Sequence, residues 1–394
     1  MKSSFFQRIL VLLPPDSNLE RHISNERCFF TGFPKNLSLL IEPLTELEKC
    51  ICSIALRAKW EANIPTEWVW YGDSICRLLN QGVKIVKRGE SYHQKVFSES
   101  VDLMKFYNDI GVILFFNERL LRDIVIVDVQ WFVNAFKYVI TDQNHFLWLR
   151  MHDNHDWMYF NQTGYLKDSL LNDIWKRRYS GHKHKEDLLL YAEQLGLLAR
   201  GESHCRGSRV HYVPSMNKRS FDSKGKHLFE SVQNRTTVIV YQFEFFPYFF
   251  YFRLIVAMIS AEMPFNILDE AGDYLYKDLA CFLYKGHIVV VAATTTSIQI
   301  QVLHRKNEMQ RDTVIEIRNL IEERLKEITE TFQRGCRYTV GYQCSYQEVY
   351  SYLSDCFVQE QDILGKATMS CPAHLSQNSH QIREEDIVHF WKKL

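Results

Sequence analysis

The chain has 394 residues, and its 47 Lys and Arg residues balance its 47 Asp and Glu residues. Apolar residues make up 46% of the chain and charged residues 24%, which is typical of a folded globular protein and excludes intrinsic disorder. The neutral charge balance argues against a dedicated nucleic-acid-binding protein, which usually carries an excess of positive charge. No apolar run approaches the ~20 residues that a membrane helix needs, so we expect no membrane partner.

The cysteines and the N-terminal residues predict a reducing, cytoplasmic location. The N-terminal apolar run is uninterrupted only over residues 9–13 and stops at Pro14 and Pro15, without the cleavage site of a signal peptide. The ten cysteines are dispersed along the chain, which is not the framework of a small disulfide-rich protein.

Helical periodicity dominates the first part of the chain. Apolar residues recur every three or four positions over residues 44–59 and again over residues 68–79, which predicts two helices. A third helix is predicted over residues 101–107, with Gly111 as its C-terminal stop.

A change of period predicts short strands among the helices that follow. Residues 112–116 and 124–127 are β-branched or aromatic runs around a charged turn, which is typical of a hairpin. Residues 131–139 return to helical spacing. Two more helices and a closing hairpin are predicted at residues 166–175, at residues 187–195, and at residues 197–199 with 209–213.

A basic stretch, residues 176–185, lies between the last two of these helices. The order of helix, basic loop, helix and hairpin resembles a winged helix, a fold that often places a helix in the DNA major groove. Nucleic-acid binding is therefore an alternative function, and a surface for an acidic partner is another interpretation. A solvated loop is favoured because the chain has no wider basic face, so we expect no nucleic-acid partner. The basic residues concerned are Lys176, Arg177, Arg178, Lys183 and Lys185.

Residues 217–227 are polar and rich in lysine, and they are the predicted boundary between two domains. Beyond them we predict a strand at residues 236–246 and an apolar helix that begins after Pro247. Three further strands are predicted at residues 275–284, 287–292 and 298–303.

The last of these strands alternates apolar and polar residues. Its apolar positions are Ile298, Ile300 and Val302. Gln299 and Gln301 lie between them, which predicts a sheet with one buried and one solvated face.

A long helix with an apolar stripe follows this strand. The stripe consists of Val314, Ile317, Leu320, Ile321, Leu325 and Ile328. The opposite face is charged and predicted to be solvated, and it carries Glu316, Arg318, Glu322, Glu323, Lys326 and Glu330. The fold class is therefore predicted to be α+β, with a helical, winged-helix-like first half followed by an antiparallel sheet with packed helices in the second half.

The chain carries no recognisable catalytic constellation, and we expect that it is not an enzyme and needs no cofactor. Its sequence lacks a phosphate-binding loop, a dinucleotide-binding loop, a nucleophile elbow and a zinc-protease motif. Residues 217–220 (NKRS) begin like a guanine-binding motif, but Ser220 stands where the acidic residue would be.

The C-terminal residues offer a zinc site as an alternative. Cys371, His374 and His380 are spaced so that thiolate and imidazole ligands would share a zinc ion with a more distant pair. The other cysteine spacings are too loose for a standard zinc knuckle, so buried free cysteines are the favoured interpretation.

Four short segments of the first half form a series with a distinctive order and spacing. They are residues 64–68 (IPTEW), 103–111 (LMKFYNDIG), 113–116 (ILFF) and 120–132 (LLRDIVIVDVQWF). The series resembles the COR domain (C-terminal of Roc) of Roco-family proteins. Asn108 stands where the family has histidine and Val129 where it has proline, and neither change removes a hydrophobic anchor.

The resemblance continues to about residue 332. Residues 212–215 (YVPS) are similar to the close of the first COR half, and residues 245–247 (FFP) with 253–255 (RLI) are similar to the opening of the second. The anchors of the match that we expect in the core are Pro65, Trp68, Gly111, Asp128, Gln130, Trp131, Pro214 and Pro247.

The resemblance implies four segments. Residues 1–43 would be a remnant of the Roc GTPase C-terminus, and residues 44–216 would be the first COR half. Residues 228–333 would be the second COR half, which carries dimerisation. Residues 334–394 would be a C-terminal extension that contains cysteine and histidine, to which the resemblance assigns no function.

In the Roco family the COR domain is not an enzyme. Its second half forms homodimers, and its first half packs against the Roc GTPase domain and relays the nucleotide state. The resemblance therefore implies a non-catalytic dimerisation and coupling module of an intracellular signalling protein. Its expected partners are a second copy of the chain and a Roc-type GTPase domain, in cis or in trans. The alternative is a fragment of a larger GTP-hydrolysing Roco protein.

The expected dimer interface combines the aromatic corner of the second half with its last strand. The aromatic corner is well suited to a self-complementary contact because aromatic side chains are enriched at interfaces. The predicted interface residues are Phe249, Tyr251, Phe252, Ile298, Ile300 and Val302.

Overall fold

The structure is a computed structural model of the chain. It describes residues 41–57, 64–87, 101–118, 120–141, 155–178, 181–201, 209–232, 234–260, 263–268, 274–305, 309–332, 336–344, 357–371 and 381–392. Helices and antiparallel sheets together confirm the predicted α+β class. No helix among these residues is long and apolar enough to cross a membrane.

The chain divides into two compact units, which meet in sequence between Arg77 and Leu78. The first unit contains helix α1 (Ile41–Arg57) and most of helix α2 (Thr66–Asn80). Both helices occur where the helical periodicity predicted them. The predicted Roc remnant, residues 1–43, lies almost entirely outside the described residues.

The second unit begins with a two-stranded sheet. Strand β1 (Ile85–Lys87) pairs antiparallel with β2 (Ile124–Ile126), while helices α3 (Val101–Asp109) and α4 (Val129–Lys137) precede and follow β2. The predicted hairpin of residues 112–127 is confirmed only at one antiparallel bridge, between Leu114 and Ile126. The pairing was not visible in the sequence, because β1 is only three residues long and lies far from its partner.

Three helices and a two-stranded antiparallel sheet follow, and we call residues 155–212 the winged helix after the predicted resemblance. Helix α5 (His155–Thr163), strand β3 (Tyr165–Lys167), helix α6 (Asp168–Arg178) and helix α7 (Lys185–Gln194) lead to strand β4 (Val210–Tyr212). Strand β4 pairs antiparallel with β3, so the first residues of the predicted helix 166–175 belong to a strand. The apolar faces of these elements share one core, which includes Trp157, Phe160, Leu171, Trp175, Leu188 and Tyr191.

The second half is an antiparallel sheet in the order β12-β11-β6-β10-β9-β8-β7, with β5 beside β10. The strands are β5 (Asn234–Arg235), β6 (Ile239–Phe243), β7 (Asn266–Ile267), β8 (Leu279–Tyr284), β9 (His287–Ala293), β10 (Ser297–His304), β11 (Tyr338–Tyr342) and β12 (Val358–Gln359). Helices α8 (Ser223–Ser231), α9 (Phe249–Ile259) and α10 (Arg311–Phe332) complete this half. Helices α9 and α10 contribute to the same hydrophobic core as β6, β8, β9 and β10.

The predicted solvated face of the sheet is buried. Gln299 and Gln301 are both only 3% exposed. The Gln301 side-chain amide donates to the Thr236 carbonyl oxygen over 2.8 Å, and the Gln343 amide donates to Gln299 Oε1 over 3.1 Å. The prediction of a solvated face is wrong here, because these side chains satisfy one another and the backbone inside the protein.

Helix α10 carries the predicted apolar stripe, of which Val314, Ile317, Ile321, Leu325 and Ile328 are buried. Its opposite face is not uniformly solvated as predicted, because Arg318 on that face is only 5% exposed. The described part of the C-terminal extension accounts for this burial. It contains β11, β12, helix α11 (Glu360–Ile363), a hairpin of β13 (Thr368–Ser370) and β14 (Gln381–Arg383), and helix α12 (Glu384–Val388).

Candidate functional site

The winged-helix residues and the sheet of the second half meet at a packed junction. We define the junction by five residues: Gly196, Tyr212, Asn217, Arg253 and Leu275. The first two belong to the winged helix, Asn217 lies in the polar connection, and the last two belong to the second half. This connection is not an open linker, because it runs through a buried residue into helix α8.

Asn217 is the hydrogen-bonding centre of the junction, and it is only 2% exposed. Its Nδ2 donates to Tyr212 Oη over 2.9 Å and to the Leu275 carbonyl oxygen over 3.0 Å. Its Oδ1 accepts from the Arg219 backbone N–H over 3.0 Å. The amide thus joins strand β4 to the second half. Because its side chain makes these hydrogen bonds within the protein, Asn217 is not available to bind a guanine base, although residues 217–220 (NKRS) begin like a guanine-binding motif.

Gly196 brings the end of helix α7 directly onto helix α9. Its φ is +69°, in the left-handed region that favours glycine. A Cβ at this position would lie 2.3 Å from Arg253 Cγ and 2.9 Å from Arg253 Cα. Only a residue without a side chain permits this approach.

Arg253 lies at the same contact, with its guanidinium carbon 5.3 Å from the centre of the Phe249 ring. Burial, together with the nearby positive charge of Arg324, lowers the pKa of Arg253 to about 9. The junction therefore ends at an aromatic and cationic corner of helix α9.

Tyr212 and Ala199 belong to the core of the second half, although both lie in the winged helix. Burial raises the pKa of Tyr212 to about 12. The Tyr212 ring also contacts the Tyr165 ring of β3, with the ring centres 5.2 Å apart. One strand pair thus serves both halves, which makes the junction a continuous part of the hydrophobic core.

Only some of the predicted interface residues at the aromatic corner are exposed to solvent. Phe249 is 40% exposed, and Phe245, which was not among the predicted residues, is 66% exposed. Phe252 is half-buried. The aromatic run at residues 243–252 was the signal that could have indicated Phe245.

The structure corrects the prediction for four other interface residues, because their side chains are buried within the chain. Tyr251, Ile298, Ile300 and Val302 are each at most 1% exposed and lie in the core of the second half. Strand β10 is an interior strand of the sheet, between β6 and β9, so its apolar side chains are covered within the same chain.

Most of the residues expected to anchor the COR resemblance have identifiable local roles. Asp128 caps helix α4 by accepting from the Trp131 backbone N–H over 2.8 Å, and it accepts from Lys84 Nζ over 2.6 Å. Gly111 ends helix α3 with a φ of +74°. Trp131, Pro214 and Pro247 are buried.

Five expected anchors are not buried. Gly111, Pro65 and Gln130 are exposed, and Asp128 and Trp68 are half-buried. Pro65 accepts from the Trp68 backbone N–H over 2.9 Å, and the Gln130 side chain donates to Asn134 Oδ1 over 3.1 Å. Their part in the motif is therefore local, at the starts of helices.

One residue of the basic stretch, Lys185, is paired within the chain. Lys185 Nζ lies 2.5 Å from Asp168 Oδ1 and donates to Asn172 Oδ1 over 2.8 Å. Burial alone would raise the pKa of Asp168, but hydrogen bonds from Lys185 and His211 lower it overall. Helix α7, the third helix of the winged helix, has Glu186 and Asp187 in its first turn, which does not favour binding to phosphates.

The zinc alternative has no support among the described residues. Cys371 is buried in the core of the second half, whereas His374 and His380 lie outside the described residues. Within the part of the chain that the structure describes, no group of three or more His, Cys, Asp or Glu side chains is arranged to hold a metal ion.

Comparison with protein families identifies the first half. Residues 84–194 match the family model of the C-terminal of Roc, COR-A domain. No curated protein matches the chain. The matched residues extend from just before β1 to the last residue of α7, and they end two residues before the junction glycine. The predicted resemblance is confirmed over this segment: residues 84–194 match the COR-A domain, which is consistent with a COR-domain protein of the Roco family.

Proposed function

We propose that the chain is a non-catalytic COR module of a Roco-like intracellular signalling protein. In this proposal the COR-A segment receives the nucleotide state of a Roc-type GTPase domain, in cis or in trans. The second half carries a homodimer contact. The observation that carries the proposal is the COR-A match, which ends at Gln194, immediately before the junction with the second half.

The junction would transmit a movement of the COR-A segment to the second half. Helix α7 is the last element of the COR-A match, and the residue that follows it by two positions, Gly196, contacts helix α9. A displacement of α7 would therefore act on α9 without an intervening flexible loop. Packed elements transmit such shifts because close-packed interfaces deform little.

Phe249 at the start of helix α9 and Phe245, four residues before it, form an exposed aromatic corner. Large aromatic side chains beside an arginine are typical of interface hot spots. We therefore propose that this corner lies in the contact between two copies of the chain.

Replacing Phe249 with Asp should weaken dimerisation, because a carboxylate would have to be desolvated in the contact. We expect the dimer dissociation constant of the full chain to rise by roughly tenfold or more. Analytical ultracentrifugation over a range of concentrations measures this constant.

A matched control is Met158→Asp, because Met158 is 61% exposed but lies on helix α5 of the first half. This variant should dimerise like the unmodified chain. An unmodified chain that stays monomeric at the highest concentrations would contradict the dimer proposal. Equal effects of both variants would contradict the location of the contact.

A further inference from the structure

The C-terminal extension is held to the second half by one buried arginine. Arg318 of helix α10 donates from Nη1 and Nη2 to the two carboxylate oxygens of Glu360, over 2.9 and 3.0 Å. It also donates to the Trp391 carbonyl oxygen over 2.8 Å. One side chain therefore contacts both residues 357–371 and residues 381–392, and we call this group the Arg318 clamp.

Helix α10 and strand β11 supply the remaining partners of the clamp. Arg318 donates from Nε to Glu322 Oε1 over 2.7 Å and from Nη1 to Tyr342 Oη over 3.1 Å. The Tyr342 hydroxyl in turn donates to Glu360. Burial lowers the pKa of Arg318, but its hydrogen bonds to Glu360 and Glu322 raise it overall, so the guanidinium stays charged. A buried charge of this kind is tolerated only while its partners are in place.

Apolar side chains dock the same segment beside the clamp. Ile363, Ile387, Val388 and Trp391 are at most 1% exposed and belong to the core of the second half. Trp391 also donates from Nε1 to the Thr237 carbonyl oxygen over 2.9 Å. The surface that holds this segment thus combines the positive charge of Arg318 with an apolar site for the indole ring of Trp391.

Among the described residues of this segment, backbone pairing with the sheet is limited. Strand β12 pairs with β11 at only two positions, and the β13–β14 hairpin pairs within itself. By contrast, β9 and β10 pair at six positions in the centre of the sheet. A segment held mainly by side chains is expected to open separately from the strands of a central sheet.

We propose that residues 357–371 and 381–392 form a strap that the Arg318 clamp holds closed, and that this strap opens as a local unit while the rest of the second half stays folded. Opening uncovers the edge of β11 at Gly341 and Tyr342, the two positions that β12 pairs, together with Arg318. An uncovered strand edge is available for pairing with another strand, so the strap controls access to this edge. This proposal does not depend on the proposed signalling function.

Hydrogen exchange of the full chain tests the strap. The variant Glu360→Ala removes the carboxylate that accepts hydrogen bonds from both Nη1 and Nη2 of Arg318. We expect exchange of the amides in residues 381–392 to accelerate by roughly tenfold or more, while the amides of β9 and β10 keep their rates. The matched control is Glu316→Ala, because Glu316 lies on the same helix but pairs with the exposed Lys285.

The milder variant Glu360→Gln keeps the size of the side chain and one acceptor oxygen. It should accelerate exchange of the same amides by a smaller factor. Unchanged exchange in residues 381–392 in both Glu360 variants would overturn the proposal, because the clamp would then not hold the segment. Equal acceleration in β9 and β10 would also overturn it, because the segment would then be an inseparable part of the core.

Discussion

Gly196→Ala is expected to lower the free energy of unfolding by about 2–4 kcal/mol. The backbone at Gly196 has a φ of +69°, which is unfavourable for alanine. The new Cβ would also lie 2.3 Å from Arg253 Cγ and 2.9 Å from Arg253 Cα, so helix α7 would have to move away from helix α9. Urea unfolding of the full chain measures the loss.

The variant Gly111→Ala separates the cost of the unfavourable backbone φ from the cost of the steric clash with helix α9. Gly111 has a similar φ of +74°, but no atom lies within 4 Å of the position of a new Cβ. We expect this variant to lose only about 1 kcal/mol. Equal losses in the two variants would show that the contact between Gly196 and Arg253 contributes nothing.

Asn217→Ala is expected to cost about 3 kcal/mol, because it leaves buried hydrogen-bonding groups without partners. The Leu275 carbonyl oxygen would lose its donor, and so would the Tyr212 hydroxyl oxygen. Alanine also cannot accept from the Arg219 backbone N–H. Chemical denaturation again measures the change in unfolding free energy.

Asn161→Ala is the matched control for Asn217. The Asn161 side chain accepts from Lys218 Nζ over 2.7 Å, in an exposed hydrogen bond to the same connection. Because water replaces such a bond, we expect a loss of at most about 0.5 kcal/mol. A loss at Asn217 no larger than this would mean that the polar connection does not hold the halves together.

Periodic elements were predictable from the sequence because their apolar residues face one core. The apolar stripe of helix α10 and the strands β8, β9 and β10 follow their predicted positions closely. The β1–β2 pair was not predictable, since a three-residue strand has no period and its partner is 37 or more residues away. Local patterns carry no information about such distant pairing.

Burial of polar residues was the main source of error. Gln299, Gln301 and Arg318 each occupy positions that a periodic pattern assigns to solvent. Their partners are supplied by distant segments, such as Thr236 for Gln301 and Glu360 for Arg318. A polar residue can therefore be buried wherever the fold brings a partner to it, and the sequence alone does not reveal that partner.

The candidate site was predictable only in part. The aromatic run suggested both Phe249 and Tyr251 as interface residues, and it could not show that Phe249 is 40% exposed while Tyr251 is buried. Gly196 gave no signal, because its importance comes from the approach of helix α9 and not from a motif.

The dimer dissociation constant in the presence of a Roc-type GTPase domain tests the central claim most directly. The GTPase domain would be added in its GDP-bound form and in a form loaded with a non-hydrolysable GTP analogue. If the chain relays nucleotide state from the COR-A segment to the second half, the two constants should differ by about fivefold or more. The same dimer dissociation constant with both nucleotide forms bound would contradict the relay.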